Sequence, residues 1–462
     1  MLFFQFQKPT PTIILNLTEQ SVETLAPDAA SLKAGKALSN AAGWVTISYN
    51  QRVLWGEIKG SGSKPYRTQI DLQNIAFKCT CPSFKFPCKH GLGLMLAFTK
   101  QKEAFTQTED EPDWVKEWIE KRTQKAEAKS EAPKENTSAD EEKAKKSKEK
   151  RQNERLSQVE GGVAELRLWL KDLIRTGLIQ LPTKERRFFE QTAARMIDAK
   201  ASGLAGRVRT LRDLDYIQND DWQRKALEIT AELFLLLEAF KNLDSLPPLW
   251  QLSVKNLIGW SQSPKELLQN PEAERIKDIW MVLGQHQEEA EGIIIQRNWL
   301  LGTATDRTAL ILNFGTPFSP LENTILPGTI IEAELVFFPA VVPQRATLGV
   351  QKGFVSELSF ELNFCNGWHE VYTKRSQLLR QFPFINDVSF VIENLRLVVE
   401  NQQPILCDQE GFFHPIVPPW EETKLLNLMA FSGFQSVTMA GVYRQNGFLP
   451  LGIFQHNKYI LL

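Results

Sequence analysis

The hydrophobic pattern changes period repeatedly along the chain. Residues 1–20 alternate polar and apolar types, as a strand or a loose arm would. From Ser21 through Ala42 spaced apolar positions with small residues between them predict helix, as in Ser31-Leu32-Lys33-Ala34-Gly35-Lys36-Ala37-Leu38. A period of two follows. Trp44 to Tyr49, Val53 to Ile58 and Tyr66 to Leu72 predict three strands, separated by the turn-prone Asn50-Gln51 and Gly60-Ser61-Gly62. Gly91 to Phe98 is apolar nearly all round, which predicts a buried helix continuing to about Phe105.

Residues 121–157 differ in kind. No aromatic residue occurs between Trp118 and Trp169, and Lys143 to Arg151 is a run of basic residues following Asp140-Glu141-Glu142. Such a segment buries too little apolar area to offset its chain entropy, so it reads as a mobile or solvated-helical linker. Beyond it, Val163, Leu166, Leu168, Trp169, Leu170, Leu173 and Ile174 outline an amphipathic helix ended by Gly177. Phe188 to Ala205, Trp222 to Phe240 and Pro264 to Gln285 predict further helices. From Trp299 the period shifts towards two. Ala309 to Phe314, Ile330 to Phe337, Val388 to Ile392 and Leu395 to Val399 predict strands, and Gln445-Asn446-Gly447 is a hairpin signal. The pattern predicts a multidomain α+β protein. Its regions are a strand-and-helix module at 1–120, a charged linker at 121–157, a helical domain at 158–298 and a β-rich domain at 299–462.

Composition narrows the function classes. The chain has 462 residues, enough for two to four domains, with 42% hydrophobic and 24% charged residues, as in globular proteins. A net charge of -1 gives no global field towards nucleic acid or membrane. The cysteines number five, an odd count, and three of them are clustered, which argues against a secreted disulfide framework and for a reducing cytoplasm. Met1 to Phe6 is apolar but lacks a basic leader, and Lys8-Pro9 cuts it short, so no signal peptide is expected. Runs such as Leu233 to Leu237 are far below membrane-spanning length, and no membrane partner is expected.

The chemistry concentrates in Cys79-Thr80-Cys81-Pro82-Ser83-Phe84-Lys85-Phe86-Pro87-Cys88-Lys89-His90. Zinc takes four soft or borderline ligands in a tetrahedron, and three thiolates with one imidazole is a common structural set. Cys79 and Cys81 stand two apart, which puts both side chains on one face of a strand. Cys88 and His90 repeat the spacing, and Pro82 and Pro87 stiffen the loop between the pairs. Three thiolates around Zn2+ leave a net charge of about -1, which Lys78, Lys85 and Lys89 would offset. The set fills the tetrahedron, so a structural centre is expected and a catalytic one is not. Reduced thiols without metal, or a redox role for the Cys79/Cys81 pair, would leave the other ligands unexplained.

This spacing, Cys-x-Cys-x(n)-Cys-x-His, resembles a SWIM-type zinc finger. The similarity runs from about Gly43 to Phe98: the strands, the Cys-Thr-Cys-Pro-Ser core and the closing Pro-Cys-Lys-His-Gly-Leu-Gly-Leu look like bacterial proteins that carry this finger near the N-terminus. The resemblance implies a small zinc-stabilised ββ(β)α module, in which a short sheet feeds Cys79 and Cys81 while Cys88 and His90 open a helix. Gly161 to Val208 looks similar to the helical part of the same proteins. It also implies protein or nucleic-acid partners, and bacterial relatives are suggestive of partnership with ATPases and von Willebrand A-type proteins.

Between Lys33 and His90 nine basic residues face two acidic ones, Glu57 and Asp71. Lys64, Arg67, Lys78, Lys85 and Lys89 are therefore candidates for contacting nucleic acid, with Tyr66, Phe77, Phe84 and Phe86 able to stack bases. The neutral whole chain favours the other reading, a non-enzymatic adaptor that binds a protein partner. A second metal site would need Cys365, His369, Cys407 and His414 to converge. His286 and His456 read as surface residues. The sequence has no Gly-x-Ser-x-Gly elbow and no phosphate-binding loop, and an enzyme within the C-terminal domains remains the third alternative.

Overall fold

A computed structural model describes residues 17–60, 62–73, 75–83, 85–130, 138–217, 221–260, 262–290, 292–316, 325–354, 363–400, 403–417, 422–444, 447–455 and 458–462. The side chains of 125–130, 138–149, 151, 290 and 352–354 are not among them. The expected strand or arm at the start lies mostly outside the described residues, as do Phe84, His456 and the turn residues Gln445 and Asn446. The architecture is mixed α+β and falls into two compact units. One takes in Met1–Ala128, Glu274–Phe337 and Gln344–Leu462; the other takes in Lys129–Ala273 and Phe338–Pro343.

The first unit begins with two short helices where one was expected. Thr18 caps α1 (Glu19–Glu23), and Asp28 caps α2 (Ala29–Lys36) by accepting from the Ser31 N–H. Pro27 stands between them, and its missing N–H and the Asp28 cap end any continuous helix over Ser21 to Ala42. The strands β1 (Trp44–Tyr49), β2 (Val53–Ile58), β3 (Tyr66–Asp71) and β4 (Ala76–Cys79) form an antiparallel meander. The Asn50 side chain closes the first turn by accepting from the N–H groups of Arg52 and Val53. Helix α3 (Lys89–Lys100) follows, then β5 (Thr106–Gln107), which pairs parallel with β1, and α4 (Asp113–Ser130).

Alternation along β2 explains how both helices cover this sheet. Leu54 faces α3, in a core with Ile70, Leu92, Leu94 and Met95, all 0% exposed. Val53 and Trp55 face α4, packing on Val115 and Ile119. On the α4 side Arg122 pairs with the buried Asp71 at 3.0 Å. Helices α2 and α3 cross closely because glycine faces glycine: a Cβ at Gly93 would stand 2.6 Å from Leu38 Cβ and 3.2 Å from the Gly35 carbonyl oxygen.

The second unit is helical: α5 (Ser138–Thr176), α6 (Arg186–Asp198), α7 (Ser202–Arg212), α8 (Trp222–Lys241), α9 (Pro248–Ile258) and α10 (Pro264–Gln269). Gly177, at φ 90°, ends α5 as expected. The expected helix from Phe188 to Ala205 is two, divided at Lys200 with φ 61°. Leu166, Leu170, Ala193, Met196, Val208, Leu233 and Val254 are all fully buried within this unit. The helix expected from Pro264 to Gln285 is corrected. It ends at Gln269, and Arg275–Ala290 is strand β6. Trp280 to Leu283 are each 0% exposed, because this strand is covered on both faces, so the alternation that marks a half-buried strand is absent.

The chain then re-enters the first unit. Strands β6, β7 (Ile293–Gly302), β8 (Thr308–Gly315), β9 (Ile330–Phe337) and β10 (Arg345–Phe354) close a barrel in the order β10-β8-β7-β6-β9. Next come β11 (Cys365–Asn366), α11 (Gly367–Gln381), β12 (Val388–Glu400), β13 (Gln403–Cys407) and β14 (Phe413–Pro415). After α12 (Glu422–Ser432), β15 (Val437–Arg444), β16 (Gly447–Gln455) and β17 (Lys458–Leu461) complete a seven-stranded sheet. The two strands expected at Val388 to Val399 are one, with a bulge between Ile392 and Leu395 where Asn394 takes φ 61°. Met281, Leu283, Trp299 and Leu301 on the barrel's outer face pack on Ala440, Val442, Leu449 and Leu451 of the sheet. Among the described residues no helix is long and apolar enough to cross a membrane.

The glycine crossing yields a direct test. Gly93→Ala forces the α2–α3 pair apart and is expected to cost about 1–3 kcal/mol in denaturant unfolding. Gly43→Ala, where an added Cβ meets nothing within 4 Å, is expected to stay within about 0.5 kcal/mol of the parent.

Candidate metal centre

The four ligands come from two local devices. Cys79 ends β4, and Cys81 lies two residues on. Cys88 is the N-cap of α3, with φ -75° and ψ 167°, and His90 sits in that helix's first turn. The ligand atoms of Cys79, Cys81, Cys88 and His90 all lie within 4.8 Å of one another, and Cys79 Sγ stands 3.8 Å from His90 Nδ1. Bonds of about 2.3 Å to sulfur place tetrahedral donors roughly 3.8 Å apart, so the cluster has the dimensions of a zinc site. Cys88 and His90 are buried; Cys79 and Cys81 are part-buried. The donor chemistry fits zinc: three sulfurs and one imidazole nitrogen leave no open coordination position.

The surroundings favour thiolate at Cys88. Each sulfur receives a backbone N–H: Cys81 N–H points to Cys79, Ser83 N–H to Cys81, and Gly91 N–H to Cys88. Thr68 Oγ1 lies 3.3 Å from Cys79 Sγ and adds a hydroxyl. The Cys88 thiol is pushed down, first because Cys79 donates to it and then because His90 and Gly91 do. Cys79 is pushed up, since the same hydrogen bond holds its proton, and burial pushes Cys81 up. One thiolate shared among hydrogen-bonding neighbours is a site poised to exchange its protons for a cation. The N-terminus of α3 adds its partial positive charge beside Cys88.

Two neighbours carry no signal in the motif. Thr68 is the cross-strand partner of Cys79, and it becomes visible only once the β3–β4 register is known. Tyr66 lays its ring against His90, with centroids 5.1 Å apart, and orients the imidazole.

The candidate nucleic-acid contacts are placed unevenly. Lys85 pairs with Asp28 at 2.7 Å and Arg67 with Glu57 at 3.1 Å. Arg67 also lies over the Trp114 ring. Lys64, Lys78 and Lys89 are exposed. Of the stacking candidates, Phe86 is 44% exposed, whereas Phe77 packs into the core beneath Gly91.

Among the described residues no second cluster of metal-ligating atoms forms. Cys365 is buried with Lys374 Nζ 3.5 Å away. His414 Nε2 bonds Tyr372 Oη at 2.8 Å, ringed by Trp368 and Tyr443. His286 is half-buried.

Residues 66–98 match the SWIM zinc finger family, and residues 154–258 match the SWIM-associated four-helix bundle domain. The chain matches no curated protein and no solved structure. It carries a SWIM zinc finger whose four ligands are arranged to hold a metal ion.

Two outcomes test this environment. Thr68→Val should keep one zinc per chain but weaken it roughly 10-fold in a chelator competition, whereas Cys81→Ser should lose the metal. Separately, burial drops His414 to about 4 and the nearby Arg375 adds to this, against an ordinary value of about 6.5. Between those values the unfolded chain takes up a proton that the folded chain refuses. Stability present above pH 6.5 is therefore lost as pH falls to 4, by about 1–2 kcal/mol after allowing for the residue's part exposure. His414→Gln should flatten that part of the slope in denaturant unfolding at pH 7 and 4.5.

Proposed function

We propose that the protein is a non-catalytic adaptor in which the zinc finger is structural and the chain's surfaces bind a protein partner. The observation that carries this reading is the internal neutralisation of the finger's basic side. Lys36 pairs with Glu23, Lys85 with Asp28 and Arg67 with Glu57. Glu23 and Asp28 precede the segment and match part of the local excess along Lys33 to His90, while Glu57 lies within it. A nucleic-acid interface needs charges free to displace counterions. A cytoplasmic setting accords with three metal-binding thiols kept reduced.

A second reading rests on Lys64, Lys78 and Lys89, which are exposed. With them the finger binds DNA, and affinity falls steeply with salt.

The full-length zinc-loaded chain, used as bait with and without nuclease, separates the two. A protein retained after nuclease, lost with Cys81→Ser and kept by the Lys64→Glu/Lys78→Glu/Lys89→Glu variant supports the adaptor. If capture vanishes on nuclease treatment, and the triple variant abolishes salt-dependent binding to duplex DNA, the adaptor reading fails.

A further inference from the structure

Two adjacent residues in the β8–β9 connection serve two different cores. Ile325, 4% exposed, packs inside the barrel with Trp280, Val282, Ile311 and Ile331. Leu326, 0% exposed, packs in the finger's core with Val22, Trp44, Leu92 and Leu96. The step between them is held from both sides. Gln285 Nε2 donates to the Ile325 carbonyl oxygen at 3.1 Å, and Thr329 Oγ1 donates to that of Leu326 at 2.7 Å. Next to it, Gly328 takes φ +74°, and a Cβ there would lie 3.1 Å from Leu461 and 3.5 Å from Ser21 Oγ.

Helix α1 completes the junction. Gln20 Nε2 donates to the Leu461 carbonyl oxygen at 2.8 Å, while Glu19 pairs with Lys100 at the far end of α3 at 3.0 Å. Leu461 belongs to the core between the barrel and the seven-stranded sheet. From the metal to the barrel there is therefore an unbroken packed path. The ligands Cys88 and His90 fix the start of α3, the body of α3 holds Leu326, and Ile325 enters the barrel.

We infer that the zinc finger is a metal-dependent latch on the C-terminal barrel: metal occupancy, transmitted through α3 and Leu326, sets the rigidity of β6 and β9. This goes beyond the adaptor reading and does not rest on it. Losing the metal frees the start of α3, loosens the socket that receives Leu326, and so slackens the hold on Ile325 inside the barrel. The latch also gives the finger a role inside its own chain, whatever else it binds.

The test is peptide-resolved hydrogen exchange on the full-length chain, zinc-loaded and after removal of zinc with a chelator, with metal content measured in each state. The expected result is loss of at least tenfold protection in β6 and β9 together with the finger strands, while α6 and α8 of the helical unit change less than twofold. Leu326→Ala, still carrying one zinc per chain, should leave the barrel insensitive to chelation. If chelation deprotects the finger strands and leaves β6 and β9 unchanged, the latch is overturned. It is equally overturned if Leu326→Ala retains the full response of the barrel. Should Leu326→Ala lose its zinc, the wild-type comparison alone decides.

Discussion

The finger module depends on one constraint: two ligands of the metal centre sit at the start of the helix that forms its core. Cys88 caps α3 and His90 occupies its first turn, so coordination fixes where the helix begins and which way it points. The rest of α3 has little polar surface to compete with that placement. Gly91 to Ala97 are all buried, which leaves one way to lay the helix on the sheet. Its glycines then let α2 approach from one side and Phe77 from another. A helix with so many apolar positions has little intrinsic preference for orientation, and the metal supplies it.

The metal centre was legible because its information is local. Ligands at spacings of two and seven residues, stiffened by Pro82 and Pro87, announce a closed tetrahedron before any sheet is placed. Thr68 was not legible, since its relation to Cys79 exists only across a strand pair. The strands of the finger could be read because alternation survives in them. β6 could not, because residues buried on both faces lose the period that distinguishes strand from helix. Leu326 lies at the extreme of illegibility. It is one of two adjacent apolar residues in a connection, with no periodic pattern around them, and it fills a core built by residues hundreds of positions away.

Charge shows the same limit in another form. Counting along Lys33 to His90 gives a basic segment, yet the acid that meets Lys85 is Asp28, 57 positions away, and the one that meets Lys36 is Glu23. The count was correct and the inference from it incomplete, because a surface field depends on which charges are neighbours in space. The pairs are themselves partly solvated and contribute little to stability. Their effect is on what the surface can attract, which is why they weigh on function more than on fold.

The same separations bear on how the unit assembles. Closing Cys79 onto His90 spans 11 residues, whereas closing Gln20 onto Leu461 spans 441. With closure entropy growing as (3/2)RT ln n, the second costs about 3 kcal/mol more than the first. The helical unit, Lys129–Ala273, lies within that longer loop and supplies none of the residues in the finger core or the barrel core. The finger's ligands close over a short loop at the start of α3, and α3 supplies Leu92 and Leu96 to the core that receives Leu326. A core already ordered on the finger side reduces the number of residues that the long closure has to order.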